Sequence, residues 1–74
     1  MDETDRRILE LIRNHSKIPG RTVDVDPVVV CDELGMGRRE YERRIVSLSD
    51  SGYLIVYTGL IAGITYKGLD VLMH

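Results

Sequence analysis

Residues 34–54, LGMGRREYERRIVSLSDSGYL, constrain the fold of this chain more than any other stretch. Leu34-Gly35-Met36 closes one helix and turns. From Arg38 onward Tyr41, Ile45 and Leu48 fall at i, i+4 and i+7, the spacing of a single apolar helical face. Arg38, Arg39, Glu40, Arg43, Arg44 and Ser47 occupy the rest of the same helix, which the pattern predicts over 37–51. Gly52 ends it, and strand formers follow. One stripe of such a helix anchors in a core while an arginine-rich back stays free, the combination needed by a helix that lies in a DNA major groove.

The flanking segments supply what that stripe packs against. Asp2 and Thr4 are N-cap candidates for a first helix reaching Asn14 or His15, with early acidic residues suited to the helix dipole. Ile8, Leu11 and Ile12 form its apolar stripe, Leu9 widens it, and Glu3 and Arg7 are spaced for an i, i+4 pair. Pro19-Gly20 signals a turn, and Thr22-Val23-Asp24-Val25 alternates as a short half-buried strand does. Asp26-Pro27 then opens a second helix running to about Leu34, because Asp caps free amides and Pro at the first position sacrifices no intrahelical bond. Val30 and Leu34 face inward from it. Residues 53–57 and 60–66 are rich in strand formers, and Thr58-Gly59 between them predicts a hairpin turn. Thr65 caps a short last helix on which Leu69, Leu72 and Met73 share a face. The predicted class is mainly α with a small antiparallel β hairpin (α+β), in one domain over 1–74.

The turn 34–37, the long amphipathic helix and the closing Ser51-Gly52-Tyr53-Leu54 resemble the helix-turn-helix half of the winged-helix DNA-binding superfamily. The passage Ile64-Thr65-Tyr66-Lys67-Gly68-Leu69-Asp70-Val71-Leu72 is similar to the strand-to-helix segment that follows the wing in small prokaryotic winged-helix regulators. The resemblance covers nearly the whole chain and implies the order helix, strand, helix, helix, strand, strand, helix, with strand 22–25 joining the hairpin as a third member. It makes 37–51 the recognition helix, with Arg38, Arg39 and Glu40 at the end that meets base edges and Arg43 and Arg44 one turn further on. It also makes Cys31 the small buried residue, often Ala, that lets the two helices of the motif approach. The chain departs from the pattern twice. Gly37 stands where Ser or Thr commonly caps the recognition helix, and residues 57–63, YTGLIAG, give the wing no Lys or Arg.

Size and charge bound these readings. Seventy-four residues make one domain that buries only about 60% of its unfolded surface, so association with a second copy would help its stability. With no Trp or Phe, the core falls to Ile, Leu, Val and four Tyr. One cysteine excludes an internal disulfide, and the charged start MDETDRRILELIR lacks the apolar centre of a signal peptide, so the chain reads as cytoplasmic. Its most apolar run, 53–64, falls short of the roughly 20 residues of a membrane span. The net charge of −2 is distributed unevenly: residues 1–36 carry five basic and eight acidic side chains, residues 37–74 five basic and four acidic. Four of those five downstream basic residues lie between Arg38 and Arg44.

Arginine bridges guanine O6 and N7 with two bonds, and Glu40 can accept from cytosine N4, so the helix has the vocabulary for base reading. The competing interpretation is a solvated face whose Arg and Glu are mixed for solubility. Arg21 fits an ordinary surface charge better than a phosphate contact. His15 and His74 lack a paired acid or metal-ligand spacing with Cys31, and the glycines form no phosphate cradle, so no catalytic, cofactor or metal site is predicted. Two functions follow as expectations. The first is a transcriptional regulator binding double-stranded DNA through Arg38, Arg39, Glu40, Arg43, Arg44 and Ser47, as a homodimer formed by the wing or the C-terminal helix. The alternative is a winged-helix protein-protein adaptor whose apolar wing, at Leu60, Ile61 and Ala62, meets a partner.

Overall fold

The computed structural model describes residues 1–15 and 25–73. The expected turn at Pro19-Gly20, most of the strand 22–25, Arg21 and His74 lie outside the described residues. Four helices and a two-stranded antiparallel sheet make up the rest, a mainly helical α+β arrangement. In order they are α1 (Glu3–His15), α2 (Pro27–Leu34), α3 (Arg38–Asp50), β1 (Leu54–Val56), β2 (Ala62–Ile64) and α4 (Tyr66–Met73).

Local chemistry sets the helix ends. Asp2 begins α1 by accepting from the Asp5 amide at 2.8 Å, and Ile8, Leu9 and Ile12 are fully buried below it. Among the described residues its i, i+4 ion pair is Arg6–Glu10 at 3.7 Å rather than the expected Glu3–Arg7, and Arg6 also donates to the Leu72 carbonyl at 3.5 Å. Asp26 accepts from the Val28 amide at 2.8 Å with Pro27 at the first helical position of α2. Gly35 ends that helix at φ 61°, ψ 36°, and its N–H returns to the Cys31 carbonyl. Only glycine enters this left-handed region without steric cost, so the turn into α3 depends on it. Cys31 is partly buried against the core rather than wholly enclosed.

β1 pairs with β2 in the register Leu54↔Ile64, Ile55↔Gly63 and Val56↔Ala62. Val25 adds an isolated antiparallel bridge to Ala62, with its amide 2.9 Å from the Ala62 carbonyl. The connection is not the two-residue turn expected at Thr58-Gly59. Tyr57 N–H bonds Ile61 O at 2.7 Å, which leaves a three-residue loop in which Gly59 (φ 76°) and Leu60 (φ 64°) are both left-handed. A leucine there is strained. With the register set by this loop, the expected apolar wing surface loses Ala62. Ala62 is fully buried, Leu60 and Ile61 are half-buried, and the exposed apolar side chains are Ile55 (45%) and Tyr57 (49%). In a strand alternate residues face opposite ways, and the side of Leu54 is taken by the core.

Thr65 caps α4 by accepting from the Gly68 amide at 3.1 Å while its hydroxyl reaches the carbonyls of Gly52 (2.7 Å) and Tyr53 (3.0 Å). Lys67 donates to the Ser51 carbonyl at 2.7 Å and lies 4.8 Å from the Tyr53 ring centre. These contacts hold the exit of α3 against α4. Gly68 makes the approach possible, because a Cβ there would sit 2.4 Å from the Tyr53 carbonyl oxygen. The apolar side of α4 is Leu69, Val71 and Leu72; Met73, expected to share it, is 77% exposed because this closeness rotates the helix onto Gly68.

Candidate nucleic-acid interface

α3 is anchored by Tyr41, Ile45 and Leu48, all buried, against α2, β1 and the Ile8-Leu9-Ile12 stripe of α1. An α-helix advances about 100° per residue. The face opposite that stripe therefore carries Arg39, Arg43, Val46 and Asp50, flanked by Glu42 and Ser47. Arg39, Glu42, Arg43 and Val46 together line an open depression of ≈ 430 Å³. Arg39 and Arg43 are exposed and make no ion pair or hydrogen bond among the described residues.

The other expected residues point elsewhere. Arg44 is turned toward the start of α1 and its side chain is only 23% exposed. Its Nη1 donates to Asp2 Oδ2 at 2.9 Å and to Asp5 Oδ1 at 3.1 Å, and its Nε lies 3.9 Å from Glu40 Oε1. The Asp5 N–H and then the Arg44 guanidinium hold the Asp2 carboxyl below its ordinary value of 3.8. The hydrogen bonds that Arg44 donates to Asp2 and Asp5 raise its own value in turn. Glu40 shares this flank. Arg38 reaches sideways to the hairpin loop, with Nη2 3.4 Å from the Gly59 carbonyl, and Ser47 is exposed beside Val46. Of the six residues singled out from the sequence, the fold brings Arg39 and Arg43 together on the outward face, with Ser47 at its margin. It leaves Arg38 at the hairpin and sets Glu40 and Arg44 against α1. Glu42 and Val46 were missed, although plotting the helix about the Tyr41–Ile45–Leu48 stripe places both on the far side.

Four further groups bear on the chemistry. The N-cap of α3, Gly37, offers no side-chain acceptor to the first amides of the helix. That leaves its first amides without a side-chain cap, and Glu40 is the acidic residue of its first turn. Tyr41 is fully buried with no partner for its hydroxyl among the described residues, and burial first, then the nearby Cys31, pushes it up to about 12. Burial likewise raises the Cys31 thiol, which opposes a reactive thiolate. His15 Nε2 pairs with Glu33 Oε1 at 3.1 Å across α1 and α2. Among the described residues no group of three His, Cys, Asp or Glu side chains can hold a metal ion, and no helix is long and apolar enough to cross a membrane. Comparison with protein-family models, with curated proteins and with solved structures returns no match for this chain.

Proposed function

We propose that this chain is a winged helix-turn-helix DNA-binding protein, a transcriptional regulator in class, that lays α3 in the major groove. What carries the reading is the pair of exposed arginines, Arg39 and Arg43, without a partner among the described residues, on the face of α3 opposite its buried stripe. The order of helices and strands, the Gly35 turn between α2 and α3, and the Val25 bridge to β2 support it. A major groove about 12 Å wide admits one helix, and arginine is the side chain best shaped to fork onto guanine. Phosphate contacts would come from Arg38 at the hairpin and from the uncapped amides that follow Gly37. Asp50, on the same line as Arg43 two turns later, repels phosphate, so the N-terminal two turns of α3 enter the groove and its C-terminal end rises out.

The test is an NMR titration of the isotopically labelled chain with a mixed-sequence duplex, first at low and then at physiological salt. Shifts confined to the amides from Gly37 to Ser47, fading as salt rises, are expected. Silence at low salt overturns the reading. A second reading, a protein-protein adaptor, is favoured by Ile55 and Tyr57 exposed on a hairpin segment, 53–64, that has no charged residue. It predicts that Ile55→Asp abolishes an association visible by sedimentation, and a wild-type chain that is monomeric at all concentrations removes the self-associating form of it.

A further inference from the structure

We propose that Val46 reads a thymine through its 5-methyl group, next to a guanine read by Arg43. This inference rests on the DNA reading above and adds the base it selects. Val46 is 48% exposed in the middle of α3, away from the buried stripe. It is not among the side chains packed on the core, and a β-branched residue is a poorer helix former than the Lys, Glu, Gln or Arg that suit a solvated face. Its neighbours on that face are Arg39, Glu42 and Arg43, with which it lines a single depression. A protein-docking patch is depleted of charge at its centre, whereas this apolar side chain is ringed by charge.

Of the charges around Val46, Arg39 and Arg43 suit a polyanionic surface with an isolated apolar feature, whereas Glu42 one turn before and Asp50 one turn after are acidic. In the major groove the C5 methyl of thymine is the apolar group on a base edge, and the flanking guanine presents two acceptors to an arginine fork. The geometry orders the pair. Side chains lean toward a helix N-terminus, so Val46 leans over the turn that carries Arg43, three residues earlier, and the two contacts fall on neighbouring base pairs.

The experiment selects bound duplexes from a pool with a randomised core, using the wild-type chain. Deoxyuridine then replaces each enriched thymine in turn, which removes the methyl group alone. At one thymine beside a guanine, affinity is expected to fall about fourfold, the equivalent of one buried methyl group. Val46→Ala should fall by a similar factor and be insensitive to the same replacement. If binding and selection survive but no thymine responds, or if deoxyuridine costs Val46→Ala as much as it costs wild type, the Val46 inference fails and the DNA reading stands. If the pool yields no enrichment and the low-salt titration is silent, both fail.

Discussion

Arg43 and Arg44 are consecutive residues with the same side chain, and the two sides of α3 use them in opposite ways. Arg44 faces α1 and is held by Asp2 and Asp5 at 2.9 and 3.1 Å. Arg43 faces solvent beside Arg39 with no partner among the described residues. One guanidinium ties α3 to the start of α1, and the other is exposed to solvent. Composition counts both as basic. The acidic total charge is therefore a poor guide, since carboxylates of α1 that contribute to it are consumed in the pair with Arg44 rather than spread over the face of Arg39 and Arg43.

The largest effect that tests this division belongs to the buried stripe. Ile45→Ala is expected to cost about 2–5 kcal/mol in denaturant unfolding, because Ile45 is wholly enclosed and a cavity would remain. Its folded fraction should bind duplex as wild type does. Arg39→Ala and Arg43→Ala come next and act the other way: stability stays within about 0.5 kcal/mol, while duplex affinity drops and the salt dependence flattens by about one unit of slope for each phosphate that the variant no longer neutralises. Equal binding by wild type and the double variant would end the distinction between the two sides.

Arg44→Ala should lower the melting temperature at neutral pH and leave the affinity of the folded chain unchanged. Because the native Asp2 carboxyl sits below its ordinary 3.8, the unfolded chain binds that proton more readily. The stabilisation is complete above about pH 4 and vanishes as pH falls through the lowered native value. Without the guanidinium that acid loss becomes shallower, which thermal melts across the acid range measure. An affinity loss matching that of Arg43→Ala would place Arg44 on the binding side after all.

The smallest effect sharpens the account of the buried stripe. Tyr41→Phe removes a buried hydroxyl that has no partner, so stability should be unchanged or higher by at most about 1 kcal/mol. Native Tyr41 loses its proton near 12 and the unfolded chain near 10. Wild type therefore loses stability as pH rises across that interval, and Tyr41→Phe should lose less. A large destabilisation would mean that the hydroxyl is satisfied in solution.

Much of the helical framework was legible because its signals are local. Asp26-Pro27 and Thr65 begin helices by satisfying amides two or three residues away, Gly35 ends one through its own backbone freedom, and the Tyr41, Ile45 and Leu48 spacing alone names the buried side of α3. The hairpin was legible in kind and not in register, since the pairing Leu54↔Ile64, Ile55↔Gly63 and Val56↔Ala62 is set by where the three-residue loop begins, which composition does not fix. The site was half legible. Periodicity could separate the buried stripe from the rest, and it already contained the far-side positions of Glu42 and Val46. What it could not contain was the fate of Arg44, whose partner Asp2 lies 42 residues away and is brought to it by the common core to which α1 and α3 both contribute. Sequence alone determined which residues share a face, because that follows from bonded geometry; only the tertiary structure decided which charges remain free, because that depends on which distant carboxylate the core brings within about 3 Å, hydrogen-bond reach.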